Sequence, residues 1–156
     1  MIELILVRHA KSDWGDADLP DHDRPLNARG RRDAPAMAER LAGTGSTAQR
    51  IISSTAVRAR TTAAEFGAAL GVEVELDPEL YLADAETLLA KATAADADSV
   101  MVVAHDPGIS DLAARLSSGG IEHMPTCAVA RFEWDGSSRV EARAAKISRM
   151  SAVRST

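Results

Sequence analysis

Short apolar runs alternate along the chain with longer stretches in which apolar residues recur at helical spacing. The short runs predict buried strands at 4–7, 50–53 and 100–104, and a more exposed strand at 72–76. The helical spacing predicts helices at 28–43, 56–70, 84–95 and 110–116. Strands that alternate with helices predict an α/β fold, a three-layer α/β/α domain with a mostly parallel central sheet.

The C-terminal part of the sequence carries a hairpin signal. Segments 127–134 and 139–145 are expected to be two strands around an Asp135-Gly136 turn. The residues that follow carry little periodicity and predict a frayed end. The sequence therefore predicts one domain over 1–147 and a C-terminal tail over 148–156.

Composition narrows the class of protein. The chain has 156 residues, 46% hydrophobic and 26% charged, which is typical of one globular domain. A net charge of -5 argues against a nucleic-acid binder, and no apolar run reaches the length of a membrane span. A single cysteine, Cys127, excludes an internal disulfide. With no secretory signal in the first residues, we expect a cytoplasmic protein, and we expect a monomer.

The candidate chemistry lies directly after the predicted strands. Arg8 and His9 follow the first strand, Arg58 lies on the helix turn after the second, and His105 follows 100–104. Ligands of open α/β sheets bind beyond the carboxyl ends of the strands. If these strands are neighbours, two imidazoles and two guanidinium groups share one cleft.

Such a cleft suits a phosphoryl group. Guanidinium forks pair with its oxygens, an imidazole can attack phosphorus, and a second imidazole can stabilise the developing charge. Positive side chains make a metal or other cofactor unnecessary, and the sequence has no P-loop. The structural alternative is that Arg8-His9 is a surface pair and His105 a core histidine with satisfied hydrogen bonds.

Three motifs carry a family resemblance. Leu6-Val7-Arg8-His9-Ala10 resembles the Arg-His-Gly signature of the histidine phosphatase (phosphoglycerate mutase-like) superfamily. Segment 54–62 resembles its Ser-Pro-x-x-Arg-Ala-x-x-Thr pattern, and 104–108 resembles its Gly-His-Asn-Pro pattern. The short length and Asp23-Arg24-Pro25-Leu26 resemble the small SixA-like branch, which removes phosphate from phosphohistidine in proteins.

The resemblance implies a role for each matching position. His9 would be the nucleophile, and Arg8, Arg58 and His105 would complete the phosphate pocket. Arg24 would contact phosphate or substrate. Glu79 is the positional match to the general acid of larger relatives, with Asp18 and Asp21 as alternatives.

Three positions depart from the family pattern. Ala10 replaces glycine, which is tolerable where φ is negative, and Thr55 replaces proline. Asp106 replaces asparagine and is expected to favour the protonated form of the neighbouring His105.

The function expected from these observations is a metal-independent phosphatase that works through phospho-His9. Its expected substrate is phosphohistidine on a protein. A short chain has few residues that could cover the site, and an open site suits a phosphate carried by a protein. The alternatives are a phosphatase for small phosphate monoesters and a phosphate-recognition module without turnover. A mutase is disfavoured because so short a chain is not expected to enclose a sugar phosphate.

Overall fold

The computed structural model describes residues 1–46, 48–134 and 147–153. Its strands are β1 (Glu3–Arg8), β2 (Arg50–Ser53), β3 (Val74–Leu76), β4 (Ser99–Ala104), β5 (Val129–Trp134) and β6 (Ile147–Val153). Its α-helices are α1 (Ala28–Gly43), α2 (Val57–Leu70), α3 (Ala85–Ala94) and α4 (Gly108–Leu116). Short 3-10 helices lie at Asp21–Asp23 and Pro78–Leu80.

The strands form one sheet in the order β3-β2-β4-β1-β5-β6. The first four strands of that order pair in parallel, whereas β5 and β6 are antiparallel to their neighbours. Arg8 lies opposite Ala104, and Ser53 lies opposite Val103. The predicted mostly parallel sheet is therefore confirmed, and the carboxyl ends of β1, β2 and β4 finish level with one another.

Each central strand contributes to two hydrophobic cores. In β1, Leu4 and Leu6 pack with the side chains of α3 and α4, whereas Ile5 and Val7 pack with those of α1 and α2. All four of these side chains are fully buried. Successive residues of a strand point to opposite faces, so a strand covered on both sides must be apolar throughout.

Local signals set the helix ends. The Asn27 side chain accepts from the Gly30 N–H at 2.9 Å and begins α1, and Asp84 accepts from the Thr87 N–H at 2.9 Å before α3. Gly71, with a φ of 68°, ends α2. Among the described helices, none combines the length and apolar character that crossing a bilayer requires.

The C-terminal end differs from the prediction. Residues 147–153 form β6 along β5, from Trp134 opposite Ile147 to Val129 opposite Val153, where the sequence predicted a tail. An edge strand bonds to one neighbour only and needs few apolar residues, so the hydrophobic pattern gave no signal. The predicted strand at 139–145 and its turn lie outside the described residues.

Gly108 is placed so that no larger residue fits. A Cβ at this position would lie 1.9 Å from the carbonyl oxygen of Ala83. We expect Gly108→Ala to lower the free energy of unfolding by about 1–3 kcal/mol, since the backbone must move to admit a methyl group. Urea unfolding measures the change. Gly43→Ala is the control because nothing lies within 4 Å of its added Cβ; equal stability of the two variants contradicts the prediction.

Candidate active site

The sheet brings the sequence-predicted residues to one place. Arg8 is the last residue of β1, His9 follows it, and His105 directly follows the neighbouring strand β4. The two imidazole centroids lie 5.2 Å apart, with ring planes tilted by 54°. Arg58 comes from the first turn of α2, which follows β2 on the other side of β4. The convergence expected from strand order is thus present.

These residues line a cleft of about 190 Å³. One part of the cleft is formed by arginine and histidine side chains, and the rest is formed by polar and apolar side chains from the surrounding loops. Its lining residues are Arg8, His9, Lys11, Ser12, Trp14, Arg24, Arg58, Leu82, His105, Asp106 and Thr126.

The backbone fixes the tautomer of His9. Nδ1 of this buried ring lies 2.7 Å from the carbonyl oxygen of Ala10, which can only accept, so Nδ1 carries the proton. Nε2 is left with a free lone pair. The segment is held in turn by the Ala10 N–H, which donates to Thr62 Oγ1 at 3.0 Å. Ala10 has no positive φ, consistent with the replacement of glycine at this position.

The surroundings also keep His9 neutral. The pKa of His9 is lowered to about 4, chiefly because burial desolvates the ring; the hydrogen bond to Ala10 opposes this shift, and the positive charges of Arg58, Arg8 and Arg24 add to it. Near neutral pH the ring therefore presents an unprotonated Nε2 beside three cationic side chains. That is the state a nucleophile toward phosphorus requires.

His105 is held by Ser54. Its Nε2 lies 2.8 Å from Ser54 Oγ, which also accepts from the Ala56 N–H at 3.2 Å. Burial is the main reason why the pKa of His105 is lowered to about 3; repulsion from His9 in its protonated form and the positive charge of Arg58 contribute after it.

The expectation that Asp106 favours a protonated His105 is therefore wrong. The Asp106 carboxylate is occupied elsewhere: Oδ2 lies 3.4 Å from Arg8 Nη1 and 3.5 Å from His123 Nδ1, and Oδ1 accepts from the Ser110 hydroxyl. A neighbour in sequence is thus not a neighbour of the imidazole.

Asp21 joins the arginines of the cleft. Arg58 donates from Nη1 to the Asp21 carbonyl oxygen at 2.6 Å and from Nη2 to Asp21 Oδ2 at 2.9 Å. Arg24 donates from Nε to Asp21 Oδ1 at 3.1 Å, and the Tyr81 hydroxyl donates to Oδ2. The Tyr81 hydrogen bond, together with Arg58 and Arg24, holds the pKa of Asp21 well below its usual range. Asp21 is an ionised clamp that orients two guanidinium groups.

Three buried nitrogen atoms of the cleft residues lack a partner within the described part of the chain. They are Arg8 Nε, Arg58 Nε and His105 Nδ1. A buried N–H group without an acceptor is costly and uncommon in proteins. All three residues line the cleft, and an oxyanion such as a phosphoryl group is the kind of acceptor that N–H donors in such a cleft bind.

Comparisons with known proteins agree with this geometry. Residues 4–84 match the model of the histidine phosphatase superfamily, branch 1. The chain belongs to this superfamily. An uncharacterised chloroplastic protein of Arabidopsis thaliana is 34% identical over 152 residues, 89% of this chain and 69% of that protein.

Solved structures place the chain with the SixA-like members of the superfamily. The putative phosphohistidine phosphatase SixA from Agrobacterium tumefaciens has a TM-score of 0.82 at 28% identity, covering 98% of this chain and 99% of that one. The protein histidine phosphatase SixA in complex with tungstate has a TM-score of 0.79 at 26% identity, covering 96% of both chains. The family and these neighbours support phosphatase activity.

The proposed general acid of this histidine phosphatase is not where the sequence suggested. Glu79 has a side chain 70% exposed, lies 2.8 Å from Lys91 Nζ and is not among the residues that line the cleft. Its placement at the site was therefore wrong. Of the two alternatives, Asp18 is exposed and Asp21 clamps the arginines.

Arg24 lines the cleft, and its contact with phosphate or substrate stays a prediction, whereas other contributors to the cleft were missed. Trp14 and Leu82 line it, Tyr81 anchors Asp21, and Thr62 supports the loop after His9. Thr62 lies four residues after Arg58, one helical turn along the same face of α2, which is a signal the sequence does contain. Trp14 and Leu82 lie in loops, where no periodicity indicates direction.

The neutral state of the two imidazoles can be observed directly. In protein with ¹³C-labelled histidine, NMR titration is expected to give His9 a midpoint of about 4 and His105 one of about 3. His9→Asn and His105→Asn assign the signals. Between about pH 6.5 and 4 the unfolded chain binds protons that folded His9 does not, so stability falls as pH falls through this window. A midpoint near pH 6.5 for either ring contradicts the prediction.

Proposed function

We propose that this protein is a metal-independent phosphatase that forms phospho-His9 and removes phosphate from phosphohistidine on a protein. The observation that carries the proposal is a neutral His9 in the same cleft as three buried nitrogen atoms, from Arg8, Arg58 and His105, that have no hydrogen-bond partner among the described residues. This arrangement unites a nucleophile with a receptor for the oxygens of the group it attacks.

The reaction has two transfers. The Nε2 lone pair of His9 attacks phosphorus, a P–N bond forms, and the bond to the leaving group breaks with its electron pair on that group. Water then attacks the phosphohistidine: its OH and proton both end on phosphate, the P–Nε2 bond breaks, and Nε2 recovers its lone pair. Throughout, Nδ1–H stays on the Ala10 carbonyl.

Positively charged side chains held in fixed positions stabilise the negative charge that develops on the phosphoryl oxygens. Arg8 and Arg58 each offer Nε–H, and His105 offers Nδ1–H when the Ser54 hydroxyl donates to its Nε2. The guanidinium groups are anchored before substrate arrives, so little reorganisation is needed. Among the described residues no group of three or more His, Cys, Asp or Glu side chains could hold a metal ion.

The proton balance favours a nitrogen-bound phosphoryl group. The only carboxylate among the lining residues, Asp106, is bound to Arg8, and Asp21 is bound to Arg24 and Arg58. Neither is poised to protonate an alkoxide, which leaves poorly without a proton. A phosphoimidazole protonated on its second nitrogen departs as neutral imidazole and needs no acid from the enzyme. The likeness to SixA proteins supports the same substrate class.

Trapping the intermediate tests the mechanism. After rapid quenching with ³²P-labelled substrate, we expect label on the protein that survives alkali and is lost in acid, as befits a phosphohistidine. His9→Ala should abolish both the label and turnover, because no other imidazole occupies that position. His123→Ala, whose ring is exposed, should keep the label. Full turnover by His9→Ala contradicts the mechanism.

A substrate panel tests the specificity. A carrier protein phosphorylated on histidine is expected to have a kcat/KM at least 100-fold above those of phosphosugars and nucleotides. Higher values for the small esters would instead make this a phosphomonoesterase. Tight binding of the phosphorylated carrier without phosphate release at any pH would identify a recognition module.

Arg58 provides a second test. Arg58→Ala is expected to lower kcat/KM about 100- to 1,000-fold, the usual cost of removing a donor that stabilises transition-state charge. Arg60→Ala is the matched control, since Arg60 is exposed on the same helix. Comparable losses in the two variants would show that a general reduction of positive charge, and not the position of Arg58, is responsible.

A further inference from the structure

Exposed apolar side chains are concentrated at the mouth of the cleft. Among the described residues four large apolar side chains are markedly exposed: Ile2, Trp14, Leu76 and Leu82. Two of the four, Trp14 at 72% exposure and Leu82 at 55%, line the cleft that holds His9. Neither contributes a charge or a hydrogen bond to the phosphate receptor, so the mechanism leaves both unused.

The indole of Trp14 is held in place from one side. The guanidinium carbon of Arg24 lies 3.5 Å from its ring centroid, which is a close cation–π contact. Arg24 is itself buried and fixed: Nη1 donates to Ser12 Oγ at 2.8 Å and to the Asp13 carbonyl at 3.1 Å. The ring thus rests on an immobile platform while most of its surface faces solvent.

Leu82 is presented by a constrained backbone. Its φ is 53°, a left-handed conformation that costs a non-glycine residue about 1–2 kcal/mol. The adjoining turn is closed by the Ala83 N–H, which donates to the Leu80 carbonyl at 3.2 Å. Ala83 also packs against Gly108, where no Cβ could fit. The fold therefore keeps a strained, half-exposed leucine at the cleft.

The floor and the mouth of the cleft differ in chemistry. Arg8, Arg58 and the two imidazoles suit a phosphoryl oxyanion, whereas Trp14 and Leu82 suit a flat apolar group close to it. An aromatic ring bonded directly to the phosphoryl group satisfies both requirements, because its face then lies next to the oxyanion.

From this we infer that Trp14 and Leu82 are specificity residues that grip an aromatic leaving group, such as an imidazole or phenyl ring, while the phosphoryl group lies on the arginines. The inference rests on the proposed function, which it deepens by assigning the group that contacts the ring. Trp14 offers the free side of its indole for stacking, and Leu82 packs against the same ring. Stacking on an aromatic side chain gives a preference for flat rings without reading their substituents.

Binding of non-hydrolysable phosphonates tests the inference without depending on turnover. Calorimetry on the 156-residue protein should give a lower Kd for phenylphosphonate than for methylphosphonate. Trp14→Ala is expected to raise the phenylphosphonate Kd about tenfold, in the range of one lost stacking contact. Leu82→Ala should raise it about threefold, the value for partial loss of one apolar contact. The methylphosphonate Kd should change less than twofold in both variants.

Two further variants make the outcome decisive. Trp14→Phe should restore most of the phenylphosphonate affinity, since it returns a flat ring. Leu76→Ala is the matched control because Leu76 is 53% exposed but lines a different cleft. Equal losses for both phosphonates in Trp14→Ala would overturn the inference, because Trp14 would then act only by holding Arg24. Unchanged phenylphosphonate binding in Trp14→Ala and Leu82→Ala would overturn it as well.

Turnover separates this inference from the proposed function. Relative to the wild-type protein, Trp14→Ala should have a kcat/KM for phenyl phosphate that is about tenfold lower. Its kcat/KM for an alkyl phosphate should stay within twofold of the wild-type value. Comparing each substrate with itself removes the intrinsic difference between leaving groups. If His9→Ala abolishes turnover while Trp14→Ala changes nothing, the phosphatase mechanism stands and the specificity assignment fails. If the variants change phosphonate binding as expected but the wild-type protein hydrolyses no phosphate, the specificity assignment stands and the phosphatase mechanism fails.

Discussion

The parallel pairing of β1 with β4 is the constraint on which the site depends. It sets Arg8 opposite Ala104, so His9 and His105 leave adjacent strands at the same level and their rings meet. The His9 N–H donates to the Ala104 carbonyl at 3.1 Å and extends the ladder one step past the strand. With β2 on the other side of β4, α2 starts at the same edge and delivers Arg58. A shift of register by one residue would turn His9 to the opposite face of the sheet.

Such a concentration of positive charge needs internal compensation. The three arginines of the cleft carry three positive charges, and both imidazoles are neutral. Asp106 and Asp21 pair with these arginines and contribute two negative charges. Each carboxylate contacts the outer part of a guanidinium group and leaves Nε of Arg8 and of Arg58 without a partner among the residues that the structure describes. The ion pairs therefore reduce the cost of burying the arginines and still leave donors for an anion.

Strand-end reasoning located four site residues from the sequence because they are fixed by the sheet itself. Apolar runs identify buried strands, and the residue after each run must lie at the carboxyl edge. Glu79 was suggested only by its positional match to larger relatives; here the buried Leu80 and the 3-10 helix around it decide where Glu79 points, and Lys91 pairs with it outside the cleft. The role of Asp21 was equally hidden: hydrogen bonds from Arg58, Arg24 and Tyr81 define it, and none of these contacts is local in sequence except the one with Arg24. The edge strand β6 escaped prediction because its residues carry little hydrophobic periodicity, whereas the structure pairs their backbone with β5.

Two features of the described residues, the lack of an unpaired carboxylate in the cleft and the apolar mouth, support the proposed substrate class for independent reasons. Asp106 and Asp21 are neutralised by arginines, which leaves proton donation to the leaving group itself. A heteroaromatic nitrogen meets that requirement, because its ring can already carry the proton that departs with it. Trp14 and Leu82 favour a flat ring beside the phosphoryl group because of their shape and apolar surface, which is a reason independent of acidity. An imidazole bonded to phosphorus is the one common biological group that satisfies both conditions, and an alkyl ester satisfies neither. In the proposed reaction, the ion pairs of the arginines and the apolar mouth therefore select the same substrate: the ion pairs act on the bond that breaks, and the mouth acts on the ring that leaves.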